Sequence, residues 1–176
     1  AFSPDGRWVA TTFGVYERAS GHQVVEFASA TPTRGQIYGV AFSADGRRLI
    51  GVSDGGSMLL LDTGTWRLLV QQQLSGPHLI TISFAPDGQT LVTGEDEGKL
   101  RLWRTETLEQ LAILGTHQAR IKSVAFAPDG TQVVSAGDDK TIALWNVASR
   151  KLVTTIGLHI APVYAVAFSP DGKQLL

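Results

Sequence analysis

At 176 residues the chain has room for one domain with a sizeable core, and its composition, 43% hydrophobic and 18% charged, is that of a soluble globular protein. A formal net charge of −1 leaves no basic footprint for a nucleic-acid partner, and the absence of cysteine excludes a disulfide framework. No apolar run approaches the roughly 18 residues that a membrane span requires and no leader pattern opens the chain, so no membrane partner is expected and the expected location is the cytoplasm.

The chain opens on "AFSPDGRWVA" and closes on "AFSPDGKQLL", and the phrase recurs as "AFSADG" at Ala41, "SFAPDG" at Ser83 and "AFAPDG" at Ala125. Its aspartates fall at Asp5, Asp45, Asp87, Asp129 and Asp171, in steps of 40, 42, 42 and 42 residues. Such a period is that of four-stranded propeller blades; helical repeats of similar length need a 3.6-residue rhythm and good helix formers. Here short runs of Val, Ile, Leu, Thr and Phe alternate with Gly, Asp and Pro punctuation, which is strand chemistry.

In chain order, residues 1–30 form a partial, atypical repeat in which "RWVATTF" and "HQVVEF" supply strands. Between Asp5 and Tyr16, its third-strand marker, five residues are missing relative to Asp129 and Trp145, so an irregular hairpin is expected near "TTFGVY". Repeats follow at about 31–73, 74–114 and 115–156, with an incomplete one at 157–176. The predicted strands are 37–43, 47–53, 57–62, 67–73, 79–84, 89–94, 99–104, 108–113, 121–126, 131–136, 141–146, 151–156 and 163–168. Within a repeat the four strands, called a to d, form a meander. The Pro-Asp-Gly between a and b is a turn with a mechanism, because Pro fixes φ, Asp bonds nearby backbone and Gly accepts positive φ. Strands without clean alternation are expected where both faces of a sheet are covered.

The stretch "GTHQARIKSVAFAPDGTQVVSAGDDKTIALWNVASRKLVTTI" resembles a WD repeat, whose pattern is Gly-His before strand a, Ser in b, Asp in the b–c turn and Trp-Asp closing c. The Gly-His pair is loosened here to Gly115-Thr116-His117, and Trp-Asp reads Trp145-Asn146. The spacing from His117 to Phe126 recurs from His159 to Phe168. The resemblance implies an all-β propeller of antiparallel blades. It also implies a hydrogen-bonded structural tetrad of His117, Ser135, Asp139 and Trp145. Three of those residues are also the types of a serine-hydrolase triad, but Ser135 sits inside an apolar strand run rather than on a sharp exposed turn, which favours the structural reading. Around Phe84 the same places hold Ser75, Thr93, Glu97 and Trp103; around Phe42 they hold Thr33, Gly51, Gly55 and Leu61, so that repeat has no tetrad. The shared first and last phrases leave about four repeats cut in mid-repeat at both ends. Because the resembling family is usually seven-bladed, the expectation is an arc of a larger propeller rather than a closed four-bladed ring.

The cluster "GEDEG" at 94–98 reads as a solvated b–c turn rather than a cation site. His22 and His78 have no second ligand at metal spacing, and no phosphate-cradling Gly loop is present, so no metal, cofactor or catalytic residue is expected. Arg101 and Arg104 read as solvated blade edge, and Trp66 as a cap on the rim. The leading functional reading is a non-enzymatic scaffold for protein–protein interaction that docks a peptide or partner protein on the face built by the d–a and b–c loops. The surface candidates are Arg120, Lys122, Asp138, Glu95 and Asp96. The alternative is the propeller portion of a larger enzyme or signalling protein whose catalytic domain lies elsewhere.

Overall fold

A computed structural model describes residues 1–27, 35–76 and 78–176. It forms two compact units, Ala1–Leu79 and Ile80–Leu176. The first holds a three-stranded sheet, β1 (Trp8–Ala10), β2 (Gly14–Glu17) and β3 (Gln23–Glu26), and a four-stranded sheet, β4 (Ile37–Phe42), β5 (Arg48–Ser53), β6 (Ser57–Asp62) and β7 (Leu68–Gln73). The second holds two four-stranded sheets: β8 (Leu79–Phe84), whose first residue falls in the first unit, β9 (Thr90–Glu95), β10 (Lys99–Arg104) and β11 (Gln110–Thr116); then β12 (Ile121–Phe126), β13 (Gln132–Gly137), β14 (Thr141–Asn146) and β15 (Lys151–Leu158). Every sheet is an antiparallel meander in sequence order. Between residues 37 and 168 the described residues form strands and turns without a helix.

The Asp-Gly turns are built alike. Asp5, Asp45, Asp87, Asp129 and Asp171 each accept the backbone N–H two residues on, at 2.9–3.1 Å, while the following glycines sit near φ +70°. Where Ser precedes the turn, its hydroxyl donates to the same carboxylate at 2.6 Å, as in Ser3, Ser43 and Ser169. These hydroxyl bonds, with the backbone amides, hold the Asp5, Asp45 and Asp171 carboxyls below the usual range.

Strand b is deeply buried in each four-stranded sheet, and in the sheet β4–β7 strand c is equally so. β5, β9 and β13 are buried along all but their first residue, which explains why none alternates in sequence. In the second unit Leu100, Ile121, Phe126, Val133 and Trp145 belong to one apolar cluster spanning both sheets. Gly94 permits that approach: a Cβ there would lie 2.5 Å from Ile121 Cγ2.

Two expectations are corrected. The hairpin near "TTFGVY" is regular but short. Trp8 pairs with Glu17, Val9 with Tyr16 and Ala10 with Val15, and the Thr11 hydroxyl accepts from Phe13 N and Gly14 N at 3.1 and 3.3 Å. Tyr16 faces Val9 as Trp145 faces Val133, so the five missing residues come off the hairpin tip and the ladder below is kept. Residues 163–168 do not form a strand. Their ladder is the single bridge Phe168–Leu175, with Ala167 and Leu176 exchanging backbone bonds at 3.0 and 2.9 Å, because the residues folded back against them number only a few. The matching phrase at the other end makes the bridge Phe2–Val9 on its own turn.

Candidate functional site

Two places in the sheet β12–β15 concentrate polar side chains. The first is internal. His117 stands in the loop between β11 and β12, Ser135 in the middle of β13, Asp139 in the turn to β14, and Trp145 near the end of β14. Trp145 Nε1 donates to Ser135 Oγ at 2.7 Å, and that oxygen is 2.7 Å from His117 Nε2. His117 Nδ1 lies 2.8 Å from Asp139 Oδ2. A carboxylate only accepts, which places a proton on Nδ1 and leaves Nε2 to accept from the Ser135 hydroxyl. The chain therefore runs Trp N–H to Ser O–H to His, and His N–H to Asp, with every donor used. Ser135 is fully buried and His117 is 5% exposed.

The structure adds partners that the spacing did not reveal. Asp139 Oδ2 also accepts Gln118 N at 3.0 Å, and Oδ1 accepts the Thr141 amide and hydroxyl at 3.1 and 2.8 Å. Burial alone would raise the Asp139 carboxyl, but the Thr141 bonds, the neighbouring His117 and the Gln118 amide together hold it below its usual value. Thr141 had a legible signal, since Asp-x-Thr repeats the Asp129-Thr131 pattern of the preceding turn. Gly115 has a physical reason as well: the Trp145 ring lies where its Cβ would be.

In the sheet β8–β11 only part of this survives. Trp103 Nε1 donates to Thr93 Oγ1 at 2.9 Å, while Glu97 pairs with Lys99 at 2.9 Å and Ser75 is exposed. Of the four places in the β4–β7 sheet, Gly51 and Leu61 are buried and Gly55 half-buried, and Thr33 lies outside the described residues.

The second place is the end of the sheet where the d–a loop meets the b–c turn. Asp138 N donates to Arg120 O at 2.9 Å and His159 N to Lys140 O at 3.0 Å, so the loops are tied to one another by backbone. Lys122 steps out of the β12–β13 ladder at a register shift. Its ammonium lies 3.5 Å from Asp138 Oδ1 and 5.3 Å from the Tyr164 ring centroid. Arg120 is exposed and Asp96 is half-buried on its own turn.

Glu95 is a correction. Expected in a solvated turn, it is instead the last residue of β9, fully buried and ion-paired with Arg101, whose guanidinium also bonds Gln110 of β11. Burial pushes the Glu95 carboxyl up in spite of that partner. Strand β9 runs one residue beyond the predicted end, which turns an apparent turn charge inward, so Glu95 is not a surface candidate and Arg101 is not a free edge cation. Trp66 packs edge-on against Trp8 with ring centroids 5.1 Å apart.

A family profile described as "WD domain, G-beta repeat" matches residues 70–104, 108–146 and 150–176, together more than half of the chain. The chain belongs to the WD40 family. WD40 repeats generally mediate protein–protein interaction and their propellers are typically non-catalytic scaffolds. The first two matches each straddle two sheets, beginning at the outer strand of one and ending in the next, and the third runs from β15 to the isolated bridge Phe168–Leu175. Comparison with curated proteins gives no match. Among the described residues no helix is long and apolar enough to cross a membrane.

Proposed function

We propose that this WD40 chain is a docking module for a protein or peptide partner, and that the end of the sheet carrying the d–a loops and b–c turns is the docking surface. The observation that carries the reading is the clamp between those loops. Asp139 accepts the Gln118 amide and Asp138 donates to the Arg120 carbonyl, so the two loops are held by the sheet's own polar framework while Arg120, Lys122 and Asp138 keep exposed or half-exposed side chains. Recognition groups held on a rigid scaffold lose little entropy on binding.

We assign His117, Ser135, Asp139 and Trp145 to that framework and not to catalysis. The Ser–His and His–Asp distances would suit a hydrolase, so the decision rests on access. A shallow groove of about 180 Å³ is lined by His117, Asp139 and Trp145 but not by Ser135. The Ser135 oxygen is buried and already accepts an indole N–H. A nucleophile needs an approach path and an oxyanion site.

The test is a charge-reversal series read by capture of a protein or peptide partner on this chain. Reversing Arg120, Lys122 and Asp138 should abolish capture, and substitutions at the Asp-Gly turns of the opposite end should leave it intact. The converse result assigns the surface to the other end. Labelling of Ser135 by a fluorophosphonate probe would restore the hydrolase reading.

A further inference from the structure

Three aligned b–c turns differ at one position. Gly56 and Gly98 occupy it at φ +78° and +82°, the left-handed region that glycine enters without steric cost, whereas the turn of the sheet β12–β15 carries Lys140 at φ +67°. Lysine there is strained: its backbone bonds, N to Gly137 O at 3.2 Å and O from His159 N at 3.0 Å, are ones that Gly56 and Gly98 make as well, and its exposed ammonium makes no ion pair among the described residues. The position is one where stability alone favours glycine.

Around Lys140 the charges are asymmetric. Both acids of this turn are engaged internally, Asp138 with Lys122 at 3.5 Å and Asp139 with His117 at 2.8 Å. Arg120, joined to Asp138 through its carbonyl, is exposed and its guanidinium likewise has no ionic partner among the described residues. This end of the sheet thus presents two cations without an ion pair among the described residues, and Tyr164, 70% exposed, packs against Lys122, the partner of Asp138 in the same turn.

From this we infer that the docking surface takes an acidic peptide segment of a partner protein, with carboxylates meeting Arg120 and Lys140 and an apolar or aromatic side chain against Tyr164. The inference rests on the docking reading above and deepens it. Charge complementarity of this kind sets association rate and partner choice, and a guanidinium and an ammonium on one loop face suit carboxylates on an extended backbone. A basic segment would meet the two free cations and be repelled.

The test is selection of binders to the full chain from a displayed library of random peptides, followed by titration of the selected peptides. Enrichment in Asp and Glu is expected, with affinity falling at least tenfold in Arg120→Gln/Lys140→Gln and falling as salt rises. Lys140→Gly supplies an independent readout, because relief of strain should raise the denaturation midpoint while affinity falls severalfold; a structural role for the lysine predicts no loss of affinity. If the selected peptides are basic or neutral, lose binding on Tyr164→Ala and ignore the double substitution, the acidic partner is wrong and docking at this end stands. If they bind every variant and cross-link to the Asp-Gly turns, or if none is selected, both readings fall.

Discussion

The sheets β4–β7 and β12–β15 share one frame and hold it by different means. In both, strand b is buried, the a–b turn closes on an Asp-Gly pair, and the same register sets Leu61 against Leu49 and Trp145 against Val133. The middle of the second carries a polar relay from indole to carboxylate. At the corresponding places the first has Gly51 and Leu61, and Met58, Leu59 and Leu60 are at most 1% exposed. Polar links lie toward the ends of its strands, where the Ser57 hydroxyl donates to Gln73 Oε1 at 2.7 Å, Gln73 Nε2 donates to Gly55 O at 2.6 Å and Arg48 pairs with Asp62 at 3.3 Å. The relay is therefore not what makes the fold. A fully partnered polar network gives little net stability over an apolar core, but a broken one is costly, so its effect is to fix one arrangement of loop and turn.

The largest expected effect is on Asp139→Ala, which removes the acceptor of His117, Gln118 and Thr141 and should cost about 2–3 kcal/mol, read as a denaturation midpoint. An unchanged midpoint would mean that the relay is ornamental in this sheet. Substituting alanine at the two aligned positions sharpens the comparison through its sign. Ser135→Ala leaves the Trp145 N–H and His117 Nε2 buried without partners and should cost about 2 kcal/mol. Gly51→Ala places a methyl 3.6 Å from Ile37, an ordinary contact, and should stabilise by about 0.5 kcal/mol through lost unfolded-state freedom. Equal costs at the two sites would erase the distinction drawn between the sheets.

Acid should separate the same two regions. The Asp139 carboxyl titrates below its ordinary value of 3.8 in the folded protein, so its stabilisation is complete above that value and is lost as pH falls through the folded one. Glu95 has the opposite sign: raised from 4.5, it favours the folded state when protonated and loses that contribution as pH rises through its folded value. Amide exchange followed downward from pH 5 should show Ser135 and Ala143 losing protection before Gly51 and Leu59. Asp139→Asn should flatten that difference, and early loss in β5 and β6 would contradict it. The smallest effect is expected for Glu95→Leu/Arg101→Met, near zero because a buried pair returns little beyond its desolvation, although Glu95→Ala alone should destabilise measurably.

Much of this was legible in the chain as written. The repeat step, the Asp-Gly turns and the β-rich runs determined the strands, because turn chemistry and strand propensity act over a few residues and each repeat restates them. Even the place of Tyr16 followed from counting. The four relay residues could be named only because the stretch resembles a WD repeat, and the fixed register of the meander is what brings those places together. What lay beyond sequence was decided by packing between segments. Glu95 reads as a turn charge in the sequence, but strand β9 runs one residue further and buries it against Arg101. Residues 163–168 have strand composition, yet a strand exists only where another lies opposite it. The left-handed φ of Lys140 is set by the turn closing between β13 and β14, and neither that strain nor the engagement of Asp138 and Asp139 with other partners can be read from the letter at that position. Local preference is written residue by residue, whereas burial, pairing and charge balance belong to atoms that the tertiary fold alone brings together.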